Sequence, residues 1–158
     1  MSAITLEQAN RIIEAVLKRG AEIQCRPLSV LVVEPGCKVK AFQKEDGSSM
    51  IRFEMAFGKA YAALALGRSS KLVRIRADER PIFMRYLLSA SGDQIFPEGG
   101  GLQIRNDAGD VIGAVGVTGD TEDKDEELAT FGIRAAGLKT DDDFKDMGRR
   151  SGVRLTNI

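Results

Sequence analysis

Lys59 stands in a stretch dominated by alanine, phenylalanine and tyrosine, where an ammonium must either snorkel outward or find a partner. Beside a pocket it would grip an anionic ligand. Further along the chain, Glu98 precedes Gly99-Gly100-Gly101, and Thr118-Gly119 precedes Asp120 and Asp125. Three successive glycines let backbone N–H groups approach a ligand oxygen. A turn feeding a helix N-terminus supplies a second set of such donors. Glu98, Asp120 and Asp125 each offer a carboxylate for proton transfer, and Phe57, Tyr61 and Phe96 offer apolar contact. The 158 residues include no histidine, which excludes Ser-His-Asp and Cys-His catalysis, His-ligated zinc and His-ligated haem iron.

Other chemistries find little support. Neither GxGxxG nor GxxxxGK[ST] spacing occurs, so the glycine run is no nucleotide fingerprint. Cys25 and Cys37 show no CxxC spacing and read as ordinary reduced residues, and no metal site is expected. Lys plus Arg and Asp plus Glu both number 23, without the basic excess of a nucleic-acid binder. With 43% apolar and 29% charged residues, the composition is that of a globular domain. The length suits one domain over 1–158 that needs no disulfide or metal to hold its core. No apolar run approaches a membrane span, and the N-terminal residues lack a secretory pattern, so a cytoplasmic location is expected.

The elements that must position these residues follow from periodicity. Thr5-Leu6-Glu7-Gln8 has the form of a capping box, and Leu6, Ala9, Ile12, Ile13, Val16 and Leu17 predict an amphipathic helix over about 6–24. Residues 28–33 predict a strand covered on both faces, and Pro35-Gly36 turns it into a second strand over 38–44 with one wet face. Ser48 or Ser49 can cap a helix over 50–66 that is apolar almost all round, with Gly67 as its stop. Residues 68–85 set six cations against two acids and predict short helices around Pro81; such a cluster serves a solvated face, a subunit contact or anion attraction.

After the glycine loop, strands at 102–104 and 111–117 flank an Asp107-Ala108-Gly109 turn. The returning strand alternates small residues with valine and isoleucine, so a helix or a flat ligand can pack close to it. Acidic residues from Glu122 to Glu127 open a helix that reaches about Ala136. Asp141 can cap a last short helix through Phe144 and Met147, and residues 149–155 suit a strand or an arm on a neighbouring subunit. This order is not strict strand-helix alternation; it predicts an antiparallel sheet with helices on both faces.

Several of these segments together resemble the GlcG/HbpS family. They are Val32-Val33-Glu34-Pro35-Gly36, Gly58-Lys59-Ala60-Tyr61-Ala62, Pro97 to Leu102, and Val111 to Gly119 followed by Asp125-Glu126. The resemblance covers about residues 4–137. It implies an α/β (α+β) fold, a profilin-like three-layer sandwich whose antiparallel sheet has about five strands, and assembly into a homo-oligomer, commonly an octamer. The family includes a haem-binding redox-sensor component, a haem-binding domain appended to a corrinoid adenosyltransferase, and products of catabolic operons.

Two departures bear on function. Glu34-Pro35-Gly36-Cys37 replaces the family's Asp-x-Gly-Gly turn, and Glu98 adds a carboxylate to the pocket. Any haem would have to be held by Tyr61, Tyr86, a methionine, a cysteine or a hydroxyl. Three readings stay open. In the first, Lys59 and the backbone donors of Gly99, Gly100, Gly101, Thr118 and Gly119 hold haem or a small aromatic or hydroxy carboxylate. In the second, the chain is a cofactor-free lyase or isomerase with Glu98 or Asp120 as general base and Lys59 as electrophilic partner. In the third, the glycines serve subunit packing alone.

Overall fold

Thr5 opens the first helix in the way its sequence predicts. Its hydroxyl accepts the Gln8 N–H at 3.1 Å, and the Gln8 side chain accepts the Thr5 N–H at 3.0 Å. In the computed structural model, which describes residues 2–144, this helix is α1, Leu6–Glu22. There follow β1 (Ser29–Val33), β2 (Val39–Lys44), α2 (Arg52–Leu66), α3 (Ser70–Glu79) and α4 (Pro81–Ala90). Then come β3 (Gly101–Arg105), β4 (Val111–Thr118), α5 (Glu122–Ala135) and a 3-10 turn, Asp141–Phe144. Met147 and the expected arm at 149–155 lie outside the described residues.

The strands form one antiparallel sheet in the order β2-β1-β4-β3. Among the described residues it has four strands, one fewer than the expected five. The chain between α2 and β3 forms α3 and α4 and adds no strand, and beyond β3 the ladder continues only as an isolated bridge between Arg105 and Lys139.

Alternation along the strands separates two cores. Val30, Val32, Leu102, Ile104, Val115 and Val117 face α1 and α5, meeting Ile12, Ile13, Val16, Leu128 and Ile133. Leu31, Val33 and Ala114 face α2, meeting Ala56 and Ala60. A third cluster of Ala62, Val73, Met84 and Ile95 holds α3 and α4 against the outer side of α2. The sandwich thus has helices on both faces, with α2 enclosed between the sheet and two further helices.

Two paired glycines bring α2 onto the sheet. Gly101 and Gly116 are cross-strand partners. A Cβ on Gly101 would collide with the Lys59 carbonyl oxygen, and one on Gly116 with that of Ala56. The small-residue alternation in β4 therefore accommodates a helix and not a flat ligand. The start of α2 differs from expectation: Ile51 is its N-cap residue with no side-chain cap, because Ser48 Oγ donates to Leu28 O and Ser49 Oγ accepts from Arg52. Gly67 closes the helix at φ 66°, as expected.

Candidate functional site

Arg52, Met55 and Lys59 fall on one face of α2, at spacings of three and seven residues. This face, the loop carrying Phe96 and Glu98, and the segment from Thr118 into α5 enclose a cavity of about 310 Å³. Asp120, Thr121, Glu122 and Asp125 complete its lining. The loop is strapped to α2 where Phe96 N–H donates to Gly58 O at 3.1 Å; a side chain at position 58 would collide with Phe96. A wider hollow of about 530 Å³ beside Cys25 has Lys44, Glu45 and Asp46 as its charged lining. The smaller cavity is the one where cations, carboxylates and a ring converge.

Lys59 does not snorkel. Its side chain is 2% exposed, and Nζ donates to Asp125 Oδ2 at 3.0 Å and Val117 O at 2.9 Å. Burial pushes the amine below its usual range, while the Asp125 carboxylate pulls it back up. Burial likewise pushes the Asp125 carboxyl up, and Lys59 opposes the shift. The other Asp125 oxygen accepts the Asp120 N–H at 3.0 Å. Phe96 places its ring centroid 6.0 Å from Nζ. Lys59 is therefore a wall of the cavity whose charge already has a partner.

Arg52 is differently placed. Its Nη1 donates to Thr118 Oγ1 at 2.7 Å and its Nε to Ser49 Oγ at 3.1 Å. These partners among the described residues are neutral hydroxyls, so no carboxylate is hydrogen-bonded to the guanidinium. Sequence reasoning missed this residue. The available signal was its two-turn separation from Lys59 in a helix with only one other charged side chain.

The backbone donors are largely engaged inside the chain. Gly99 N–H donates to Glu122 Oε2 at 3.2 Å and Gly101 N–H to Ser70 Oγ at 2.7 Å. Gly100, at φ 126°, accepts the Val117 N–H through its carbonyl. Asp120 N–H goes to Asp125, and Thr121 N–H donates to Asp120 Oδ1 at 2.7 Å. Gly119, at φ 144°, comes so close to Pro27 that a Cβ would strike its carbonyl oxygen. The amides of Gly99, Gly101, Asp120 and Thr121, at least, are taken up by side chains of the chain itself and do not stand free for a ligand.

The carboxylates sort themselves by environment. Asp120 Oδ2 accepts the Arg26 N–H at 2.9 Å, and this bond above all holds its carboxyl below the usual range. Such a carboxylate is a weak base, which argues against Asp120 as the proton acceptor. Glu98 goes the other way: a hydrogen bond with the Glu122 side chain, then burial, pushes its carboxyl up. Glu122 is pushed down by the same bond and by the Gly99 amide. Phe57 and Tyr61 sit beside the site and not in its lining. Phe57 packs on Leu31 and Val33, and Tyr61 faces the cluster of Val73 and Met84.

With this geometry in view, comparisons place the chain among known proteins. The family model for haem degrading protein HbpS-like matches residues 4–134. An uncharacterized 15.0 kDa protein in the dhaT-dhaS intergenic region of Citrobacter freundii is 32% identical over 130 residues, covering 82% of this chain and 89% of that protein. The crystal structure of Klebsiella pneumoniae protein ORFY superposes with a TM-score of 0.78 at 26% identity, covering 87% of this chain and 92% of that one. A PduOC:heme complex gives a TM-score of 0.78 at 22% identity, covering 87% and 98%.

Proposed function

The chain belongs to the HbpS-like family, and from that premise we propose that it binds a small carboxylate, aromatic or hydroxy-substituted, in the cavity between α2, the Phe96–Glu98 loop and the start of α5. One observation carries the reading: Arg52 faces the cavity with its charge unmatched by any carboxylate among its hydrogen-bond partners. The guanidinium and the Thr118 hydroxyl take the ligand's carboxylate, and the Phe96 ring takes its body. The Lys59–Asp125 pair forms the adjoining polar wall.

Haem, which the PduOC neighbour holds, makes different demands of these residues. The lining offers one soft donor, the Met55 thioether, and no histidine. A tetrapyrrole is also much broader than a hollow of about 310 Å³. The cavity of a single chain therefore does not fit haem, and no step is assigned to it.

A second reading has its own support. Glu98, with its carboxyl pushed up, is a stronger base than an ordinary glutamate, as proton abstraction by a lyase or isomerase acting on a carboxylate requires. Calorimetric titration with benzoate and with lactate tests the first reading. Binding of either, weakened at least tenfold in Arg52→Ala, is the expected result. Absence of binding by both, or affinity untouched by Arg52→Ala, refutes it. A Soret shift on haem titration that survives Arg52→Ala would assign the protein to haem at some other surface.

A further inference from the structure

Two cations and four carboxylates line the cavity. Three of the carboxylates are committed within the chain. Asp125 accepts from Lys59 Nζ and the Asp120 N–H, Asp120 from the N–H groups of Arg26 and Thr121, and Glu122 from the Gly99 N–H. Glu98 differs. Among the described residues no backbone N–H donates to it, and its one ion pair is with Arg74 of α3, whose Nη1 stands 3.5 Å from Oε1. Arg74 is itself divided, since it also lies 3.4 Å from Glu122 Oε2 and donates through Nε to Asp78 at 3.2 Å.

The lining thus leaves two charged groups with capacity to spare. One is the Arg52 guanidinium, a donor whose partners are the Ser49 and Thr118 hydroxyls. The other is the Glu98 carboxylate, an acceptor. Both charges act on the Lys59 amine, which stands in the same hollow. With all six lining groups ionised, negative charges also outnumber positive ones. A bare anion enters against that excess, whereas a ligand that carries its own cation adds nothing to it. Glu98 gains most from such a cation. Glu122 beside it pushes its carboxyl up, and an ammonium at hydrogen-bond distance would draw it back to the ionised form.

We propose that the ligand is a zwitterion, an amino acid with an apolar or aromatic side chain, whose ammonium is taken by Glu98 while Arg52 takes its carboxylate. This rests on the carboxylate-binding reading and narrows it to one substrate class. Glu98 becomes the residue that tells an amino acid from the hydroxy acid or plain acid of the same shape. The Phe96 ring, in the same lining, takes the side chain.

Phenylalanine, phenyllactate and hydrocinnamate share a ring and a carboxylate, and bear an ammonium, a hydroxyl or a hydrogen on the carbon between. Calorimetric titration of the whole chain at neutral pH is expected to rank them in that order. Phenylalanine should bind at least about tenfold more tightly than hydrocinnamate, the worth of a hydrogen bond to a charged group. Glu98→Gln should remove that advantage and leave hydrocinnamate bound as before, whereas Arg52→Ala should weaken all three. Phenyllactate as tight as phenylalanine, phenylalanine no tighter than hydrocinnamate, or a preference that persists in Glu98→Gln overturns the zwitterion. Benzoate, lactate or hydrocinnamate bound through Arg52 with no preference for phenylalanine leaves carboxylate binding standing and the zwitterion alone refuted. Binding of none of these compounds refutes both. The wild-type ranking decides the matter even if a variant fails to fold.

Discussion

Lys59 Nζ and Asp125 Oδ2 stand 3.0 Å apart, with each side chain only 2% exposed. This pair ties the centre of α2 to the first turn of α5 across the end of β4, where Val117 O takes a second Lys59 hydrogen. Removing one member leaves a buried charge alone. Lys59→Met should cost about 3–5 kcal/mol in urea unfolding at neutral pH. Adding Asp125→Leu should restore part of that loss, though not all, because Asp125 also accepts the Asp120 N–H. A single variant as stable as wild type would show that the pair contributes nothing to folding.

Gly101 and Gly116 have no room for a methyl group. Gly101→Ala and Gly116→Ala would each drive a Cβ into a backbone carbonyl of α2, at Lys59 and Ala56 respectively. Each should destabilise the chain by about 3 kcal/mol or more, the upper end of overpacking, since backbone cannot rotate out of the way. Thermal melting measures the loss, and a melting temperature unchanged in both would show that α2 sits further from the sheet than described.

Asp120 supplies a pH dependence of definite sign. Its folded carboxyl lies below the usual aspartate value, held there by the Arg26 and Thr121 N–H groups. Its contribution is thus complete above about pH 4, the unfolded value, and lost as pH falls through the folded one. Asp120→Asn should cost about 1.5–3 kcal/mol at pH 7, the worth of hydrogen bonds to a charged group. The gap to wild type should narrow below pH 4; a constant gap down to pH 2 would contradict it.

Cys37 sits at φ 61° in the β1–β2 turn, and burial pushes its thiol up to about 11. Little thiolate exists at pH 8, so iodoacetamide should label it on the order of a hundredfold more slowly than a free cysteine. Mass-spectrometric labelling kinetics would show this directly, and rapid alkylation would indicate a more open turn.

Much of the fold was legible because local chemistry and global packing agree. The Thr5–Gln8 box, the Leu6-to-Leu17 stripe and the Asp107-Ala108-Gly109 turn each predict the element observed. So does the small-residue alternation of β4, although that it is α2 that fills the space emerges only from the folded chain. The site was less legible because its logic is pairwise. Lys59 and Asp125 are 66 positions apart, and nothing in either local sequence announces the partner. Glu122 and Arg74 each look like helix-surface charges until the loop at Glu98 is laid beside them. The Gly99 and Gly101 amides are spent for a related reason: Glu122 and Ser70, from two different helices, reach back to them.

The contact between α2 and the paired glycines also bears on how this site can diversify. Main chain rests on main chain there, with no side chain between to be lengthened or trimmed. Arg52 and Lys59 are consequently carried on a rail whose height above the strands is fixed. A change that reshapes the cavity without lifting the helix from its bed therefore falls in the strap around Phe96 and Glu98 or in the opening of α5.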